Sequence, residues 1–70
     1  MLLKNSSTGS EVGIIQINLK MLGYDPKVIN CILGENTEIA VKDFQGANDL
    51  VSDGIVGLNT YVIIQHNSLK

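Results

Sequence analysis

Eight residues of this chain are written twice, 23 positions apart. Asn30-Cys31-Ile32-Leu33-Gly34-Glu35-Asn36-Thr37 returns as Asp53-Gly54-Ile55-Val56-Gly57-Leu58-Asn59-Thr60. Both copies read Asn or Asp, a variable position, Ile, Leu or Val, Gly, a variable position, Asn, Thr. Each has the form of a loop that turns into a helix. A chain of 70 residues supports one small domain with one core. Two copies are too few for a solenoid, so the repeat predicts two related halves closing on each other. On this reading the pairs Ile32-Leu33 and Ile55-Val56 enter the core. Gly34 and Gly57 make the turn by tolerating positive φ. The hydroxyls of Thr37 and Thr60 bond back to the preceding loop.

The periodicity around the elbows is helical. Val12, Ile15, Leu19 and Leu22 fall on one face of a helix from about Glu11 to Leu22, with Ser10 as its N-cap and Gly23 as its left-handed stop. Thr37, Ala40, Val41 and Phe44 line a second helix from about Glu35 to Asn48, with Ile39 to the side. Thr60 and Ile64 face inward on a third, which starts after Gly57 and runs to about His66. The expected fold is all-α, a compact three-helix bundle with two repeated loop–helix segments. Residues 1–9, rich in Ser, Thr, Asn and Gly, read as a linker or chain start. Residues 10–67 are the domain and 68–70 a frayed C-terminus.

Composition narrows the function classes. Hydrophobic residues make up 44% of the chain, which argues against disorder. The net charge is -2, with five basic residues, all lysine. Nucleic acid and anionic membrane are poor partners for such a surface. No apolar run is long enough to cross a bilayer, and Met1-Leu2-Leu3-Lys4 is too short for a secretion signal, so the export route is not legible. Abundant Ile and Asn with lysine-only basic residues suggest an AT-rich genome. Cys31 is the only cysteine and His66 the only histidine, so neither a disulfide nor a zinc ligand set is expected. A thiol nucleophile would need an activating base and an orienting group, and neither is evident. Cys31 reads as a small buried filler; the alternative is a thiol that regulates a partner enzyme. The seven acids suit helix starts, turns and a solvated face rather than a two-carboxylate cleft. No catalytic residue, metal or cofactor is expected.

Three segments in order carry a family resemblance. Val12-x-x-Ile15-Gln16-x-x-Leu19-x-x-Leu22-Gly23-Tyr24 is the first. Ile32-Leu33-Gly34-x-x-Thr37-x-x-Ala40-Val41-x-x-Phe44-Gln45 is the second. Ala47-Asn48-x-Leu50-x-x-Asp53-Gly54-Ile55-Val56-Gly57-x-x-Thr60 is the third. Together they resemble the peptidoglycan-binding domain family, small three-helix modules attached to bacterial cell-wall hydrolases and phage endolysins. The resemblance spans roughly residues 9 to 65. It departs at Cys31, where the family often has Gly, at Glu35 and Leu58, where it often has Pro, and at Tyr61, where it often has Trp. It implies a non-catalytic module that holds a tethered hydrolase, such as the endolysin or autolysin of a low-GC Gram-positive system, at the bacterial wall. The implied partner is peptidoglycan, through its glycan or its stem peptide.

Such a binder needs polar groups to read amides, carboxylates and hydroxyls, beside a flat apolar surface. Asn30, Asn36, Asp53, Asn59 and Tyr61 supply the polar groups near the two elbows, and Tyr24 and Tyr61 supply aromatic faces. Backbone N–H groups at the starts of the second and third helices could receive a stem-peptide carboxylate. The competing reading is that the Asn and Asp side chains shape the loops by local bonds, Asp53 above all. Ile14, Ile17 and Met21 form a second apolar stripe on the first helix, roughly 150° from the first. One bundle cannot readily bury both, so this stripe predicts an interface with a second copy or with the parent's catalytic domain, which a pro-segment-like module would dock on or inhibit. The alternative is that the loop from Lys27 to Ile32 folds over it.

Overall fold

A computed structural model of the chain describes residues 2–68. Helix α1 spans Ser10–Met21, α2 spans Glu35–Ala47 and α3 spans Leu58–Ser68. The predicted core faces hold. Val12, Ile15, Leu19, Val41 and Ile64 are fully buried, and Ala40, Phe44 and Thr60 nearly so. Each large apolar side chain buried this way contributes roughly 1.5–3 kcal/mol, and together they form one contiguous core. Leu22 lies at its edge, half-buried. Both interhelical turns close by one device. The Tyr24 N–H donates to the Leu19 carbonyl at 2.8 Å across Gly23, whose φ is 95°. The Leu50 N–H donates to the Gln45 carbonyl at 2.8 Å across Asp49, whose φ is 60°. Both are left-handed helix stops, made by Gly in one case and by Asp, which tolerates that region, in the other.

The two elbows are held by two buried glutamines. Gln16 on α1 accepts the N–H groups of Asn30 and Cys31 at its Oε1, at 3.1 and 3.0 Å. Its Nε2 donates to Asn30 Oδ1, the Ile32 carbonyl and Thr37 Oγ1, at 3.2, 3.0 and 3.0 Å. Gln45 on α2 repeats the pattern. Its Oε1 accepts the Gly54 N–H at 3.0 Å, and its Nε2 donates to Asp53 Oδ1, the Ile55 carbonyl and Thr60 Oγ1, at 3.2, 3.0 and 3.2 Å. In each loop the Asn or Asp Oδ1 also accepts the N–H two residues on, at 3.1 Å for Ile32 and 2.9 Å for Ile55. Both glutamines are at most 1% exposed. A buried amide without partners costs roughly 1–3 kcal/mol; here the loop's own backbone supplies the partners.

Several expectations are corrected. The left-handed residue of each elbow is the second one, Cys31 (φ 62°) and Gly54 (φ 73°), not the glycine before the helix. Gly34 is extended, with φ −93° and ψ −167°, and Gly57 also lies outside the left-handed region. Only the second member of each apolar pair enters the core. Leu33 and Val56 are fully buried, whereas Ile32 is exposed and Ile55 partly so, because extended backbone points successive side chains to opposite sides. Thr37 and Thr60 accept hydrogen bonds from the helix glutamines instead of bonding the loops. The α1 cap position is Gly9, with no side-chain cap, and Ser10 is already helical. Cys31 is exposed, not a buried filler.

The segment read as a linker is part of the domain. Leu3 is 8% exposed and exchanges two backbone hydrogen bonds with Val56, at 2.9 and 2.7 Å. Further along, the Ser6 N–H donates to the Leu33 carbonyl, the Leu33 N–H to the Ser7 carbonyl, both at 2.8 Å, and the Gly9 N–H to the Cys31 carbonyl at 3.0 Å. The N-terminal segment is thus a strap across both elbows, and its polar composition hid a single buried leucine. At the other end α3 includes Ser68; residues 69–70 of the expected frayed tail lie outside the described residues.

Two predictions follow from these contacts. Gln45→Leu keeps the side-chain bulk but leaves the Gly54 N–H, the Ile55 carbonyl and the Thr60 hydroxyl without their partner. Urea unfolding should show a loss of about 3 kcal/mol, and a loss below about 1 kcal/mol would refute the anchoring role. At the first elbow, a Cβ added at Gly13 would sit 2.6 Å from Cys31 Sγ. Gly13→Ala should therefore destabilise the native chain, yet stabilise a Cys31→Gly background by about 0.5 kcal/mol through helix propensity. Additive effects in that double-mutant cycle would exclude the contact.

Candidate binding groove

An open groove of about 480 Å³ lies beside the second elbow. Gln45 and Asp49 at the end of α2, the loop through Gly57, and Leu58, Asn59 and Thr60 at the start of α3 line it; Leu2 of the N-terminal strap forms another lip. Its rim is strongly aliphatic. Leu2 is 60% exposed, Val51 79% and Leu58 64%. These side chains flank a floor made by the Gln45 network.

Two carboxylates, Asp49 and Asp53, lie on the groove, and no Lys, Arg or His lines it. The hydrogen bond from the Ile55 N–H is the main reason the Asp53 carboxyl titrates below its ordinary range. The Gln45 side chain acts in the same direction and partial desolvation opposes both. Asp53 is therefore charged at neutral pH. The nearby cation, Lys42, lies over Gly54 beside Glu38 and is not among the lining residues. At the start of α3 the Tyr61 N–H closes onto the Gly57 carbonyl at 2.9 Å. The N–H groups of Leu58, Asn59 and Thr60 precede the first helical hydrogen bond.

Of the six expected ligand contacts, the groove brings together Asp53 and Asn59. Asn30 occupies the place at the first elbow that Asp53 holds at the second, and its Oδ1 is taken up by Gln16 and by the Ile32 N–H. Asn36 and Asn59 are exposed and take no part in the glutamine networks. Tyr24 is half-buried, with its ring edge-on to Phe44 at a centroid distance of 5.6 Å and 89° between planes. Tyr61 is half-buried against the core. Neither tyrosine lines the groove. The apolar stripe of α1 does face outward. Ile14 is 43% exposed, Ile17 47% and Met21 67%, and the loop offered as the alternative cover for them leaves Val28, Ile29 and Ile32 exposed as well. Leu2, Asp49, Val51 and Leu58 escaped the sequence reading, because single residues in loops and at helix ends carry no periodic signal. The glutamines were legible in principle, since Val12-x-x-Ile15-Gln16 and Val41-x-x-Phe44-Gln45 are themselves a repeat.

With this geometry in place, comparison with known proteins settles the family. The peptidoglycan binding domain family model matches residues 8–64, most of the chain. The chain belongs to that family. The fold is that of the SleB N-terminal domain, with a TM-score of 0.93, 24% identity, and coverage of 97% of this chain and 93% of that one. A peptidoglycan-binding protein from Clostridioides difficile, crystallised in complex with glutamine hydroxamate, matches at a TM-score of 0.91 and 33% identity. That match covers 97% of this chain but 42% of the other protein, so the chain spans well under half of that relative's length. Membership assigns the chain to peptidoglycan binding at the bacterial cell wall, as one of a family of binding domains. Among the described residues no helix is long and apolar enough to cross a membrane.

The paired elbows supply a direct test of Asp53. Asn30 shows that an Asn makes the same loop bonds, so Asp53→Asn should fold normally and lose only the charge. The folded state holds the Asp53 proton less tightly than the unfolded chain does. Its contribution to stability is therefore complete above the ordinary carboxylate range and is lost as pH falls through the lowered folded value. Thermal unfolding at a series of acid pH values should show the native chain's advantage over Asp53→Asn shrinking as pH falls. An advantage that stays constant would contradict the charge-dependent bond.

Proposed function

We propose that this chain anchors a covalently attached cell-wall hydrolase, such as a phage endolysin or an autolysin of a Gram-positive system, on the wall. In this reading the groove beside the second elbow is the contact surface. The supporting observation is an open, aliphatic-rimmed groove, rigidly backed by the Gln45 network, in a chain of the peptidoglycan binding domain family. Asp53 and Asn59 contact ligand there, and Tyr24, Asn30, Asn36 and Tyr61 act in shaping the fold or at its periphery. The match to less than half of a longer peptidoglycan-binding protein supports a modular role. Anchoring works by effective concentration. A module of modest affinity keeps its attached enzyme close to an insoluble polymer, and tethering turns weak binding into retention.

The exposed α1 stripe favours a second role, docking to a protein partner. Ile14, Ile17 and Met21 would meet the parent's catalytic domain in a pro-segment-like arrangement, or a second copy of the chain in a homodimer. The two roles use different surfaces and separate by mutation. The isolated chain should sediment with purified sacculi. Val51→Asp with Leu58→Asp should reduce the bound fraction severalfold. Ile14→Lys with Ile17→Lys should leave wall binding intact and lower the mass measured by light scattering if the stripe pairs two copies. Failure of the native chain to sediment with sacculi would exclude the anchoring role.

A further inference from the structure

The groove's chemistry discriminates between the two parts of the wall polymer. We infer that it reads the peptide part and not the glycan, gripping a short aliphatic segment that carries a free ammonium group, with Leu2 of the N-terminal strap as a specificity-determining contact. This inference rests on the wall-binding reading and deepens it.

Three features carry it. First, no aromatic residue lines the groove. An aromatic ring offers the flat amphipathic face that suits a pyranose, and both tyrosines are engaged elsewhere. Second, the side chains that rise from the rim are Leu2, Val51 and Leu58, separate aliphatic groups each more than half exposed. Branched aliphatic knobs around a polar floor fit methyl-bearing residues such as alanine better than they fit sugar hydroxyls, whose desolvation they would not repay. Third, the charge balance selects a cation. The start of α3 contributes the equivalent of about half a positive charge, against two carboxylates at Asp49 and Asp53 with no basic residue in the lining. A ligand carboxylate, the group expected at this helix start from the sequence, is therefore disfavoured and an ammonium favoured. The Oδ1 atom of Asp53 is occupied by Gln45 and Ile55, which leaves Oδ2 for the ligand.

Leu2 extends the site beyond the family's shared region. The family match begins at residue 8. Leu2 reaches the groove because Leu3 is clamped to Val56 through both its N–H and its carbonyl. The buried neighbour fixes the strap and the exposed residue faces the ligand, so residue 2 can vary without disturbing the core.

The test is a titration of the isotopically labelled chain, followed by amide chemical shifts, with three probes. These are a synthetic N-terminally acetylated stem pentapeptide with a free lysine amine, the same peptide with the lysine amine acetylated as well, and chitotetraose. The amine-bearing peptide should shift residues 49–60. Acetylation, or Asp53→Asn in the protein, should each weaken its binding about two- to fivefold, the range of an exposed ion pair. Leu2→Ser and Val51→Ser should each weaken both peptides about fivefold, with Leu3 still clamped and the spectrum otherwise native. Chitotetraose shifting the groove while the peptides do not would overturn the inference and leave wall binding standing. So would sacculi that sediment the chain when no probe binds. Equal binding of the two peptides would overturn the ammonium requirement. Loss of sedimentation with sacculi as well would remove the underlying reading.

Discussion

Two buried amides organise this chain. Gln16 and Gln45 each reach from a helix into the following loop, where Gln16 takes up two backbone N–H groups and Gln45 one, and each also takes up a loop carbonyl and the hydroxyl of a threonine in the next helix. A loop this irregular has no ladder of its own to satisfy its polar groups. The glutamine replaces the ladder with one side chain that both donates and accepts. Because the amide is buried, leaving it half-paired is costly, and the loop is held to a narrow set of conformations. Each elbow then delivers Leu33 or Val56 to the core and sets the angle at which the next helix leaves.

The same interaction explains how two copies differ in length without differing in shape. From Gln16 to Asn30 the chain takes 14 residues, and from Gln45 to Asp53 only 8. The extra residues extend α1 beyond its glutamine and lengthen the turn around Pro26, so the inserted length never reaches the network. What changes is the character of the surface. The first elbow carries Asn30, the strained Cys31 and exposed Val28 and Ile29. The second carries the charged Asp53, a relaxed Gly54 and a groove. One scaffold thus presents two faces of different chemistry, one with exposed apolar side chains and one recessed and anionic.

The N-terminal strap links these faces. It passes from the groove, where Leu2 forms a lip and Leu3 joins the core, to the first elbow, where Ser6, Ser7 and Gly9 bond to Leu33 and Cys31. The first elbow offers the strap three backbone groups, the Leu33 N–H and the Leu33 and Cys31 carbonyls, and the second offers two, the N–H and carbonyl of Val56. The cost of ordering the strap is offset by one buried leucine and several backbone hydrogen bonds.

The sequence by itself determined the helices, their buried faces and the existence of two equivalent elbows, because periodicity and repetition are local signals. Val12, Ile15 and Leu19, or Thr37, Val41 and Phe44, declare their face by spacing alone. The sequence also determined that the stripe of Ile14, Ile17 and Met21 lies away from the core. Only the tertiary structure decided which residue of each elbow turns left-handed, which member of each apolar pair is buried, and that a polar N-terminus is structural. Those outcomes depend on where a distant glutamine or leucine sits once the chain has closed, and no residue's neighbours in sequence carry that information. The groove is the extreme case: Leu2, Asp49, Val51 and Leu58 come from separate segments and acquire a common chemistry only by being folded together.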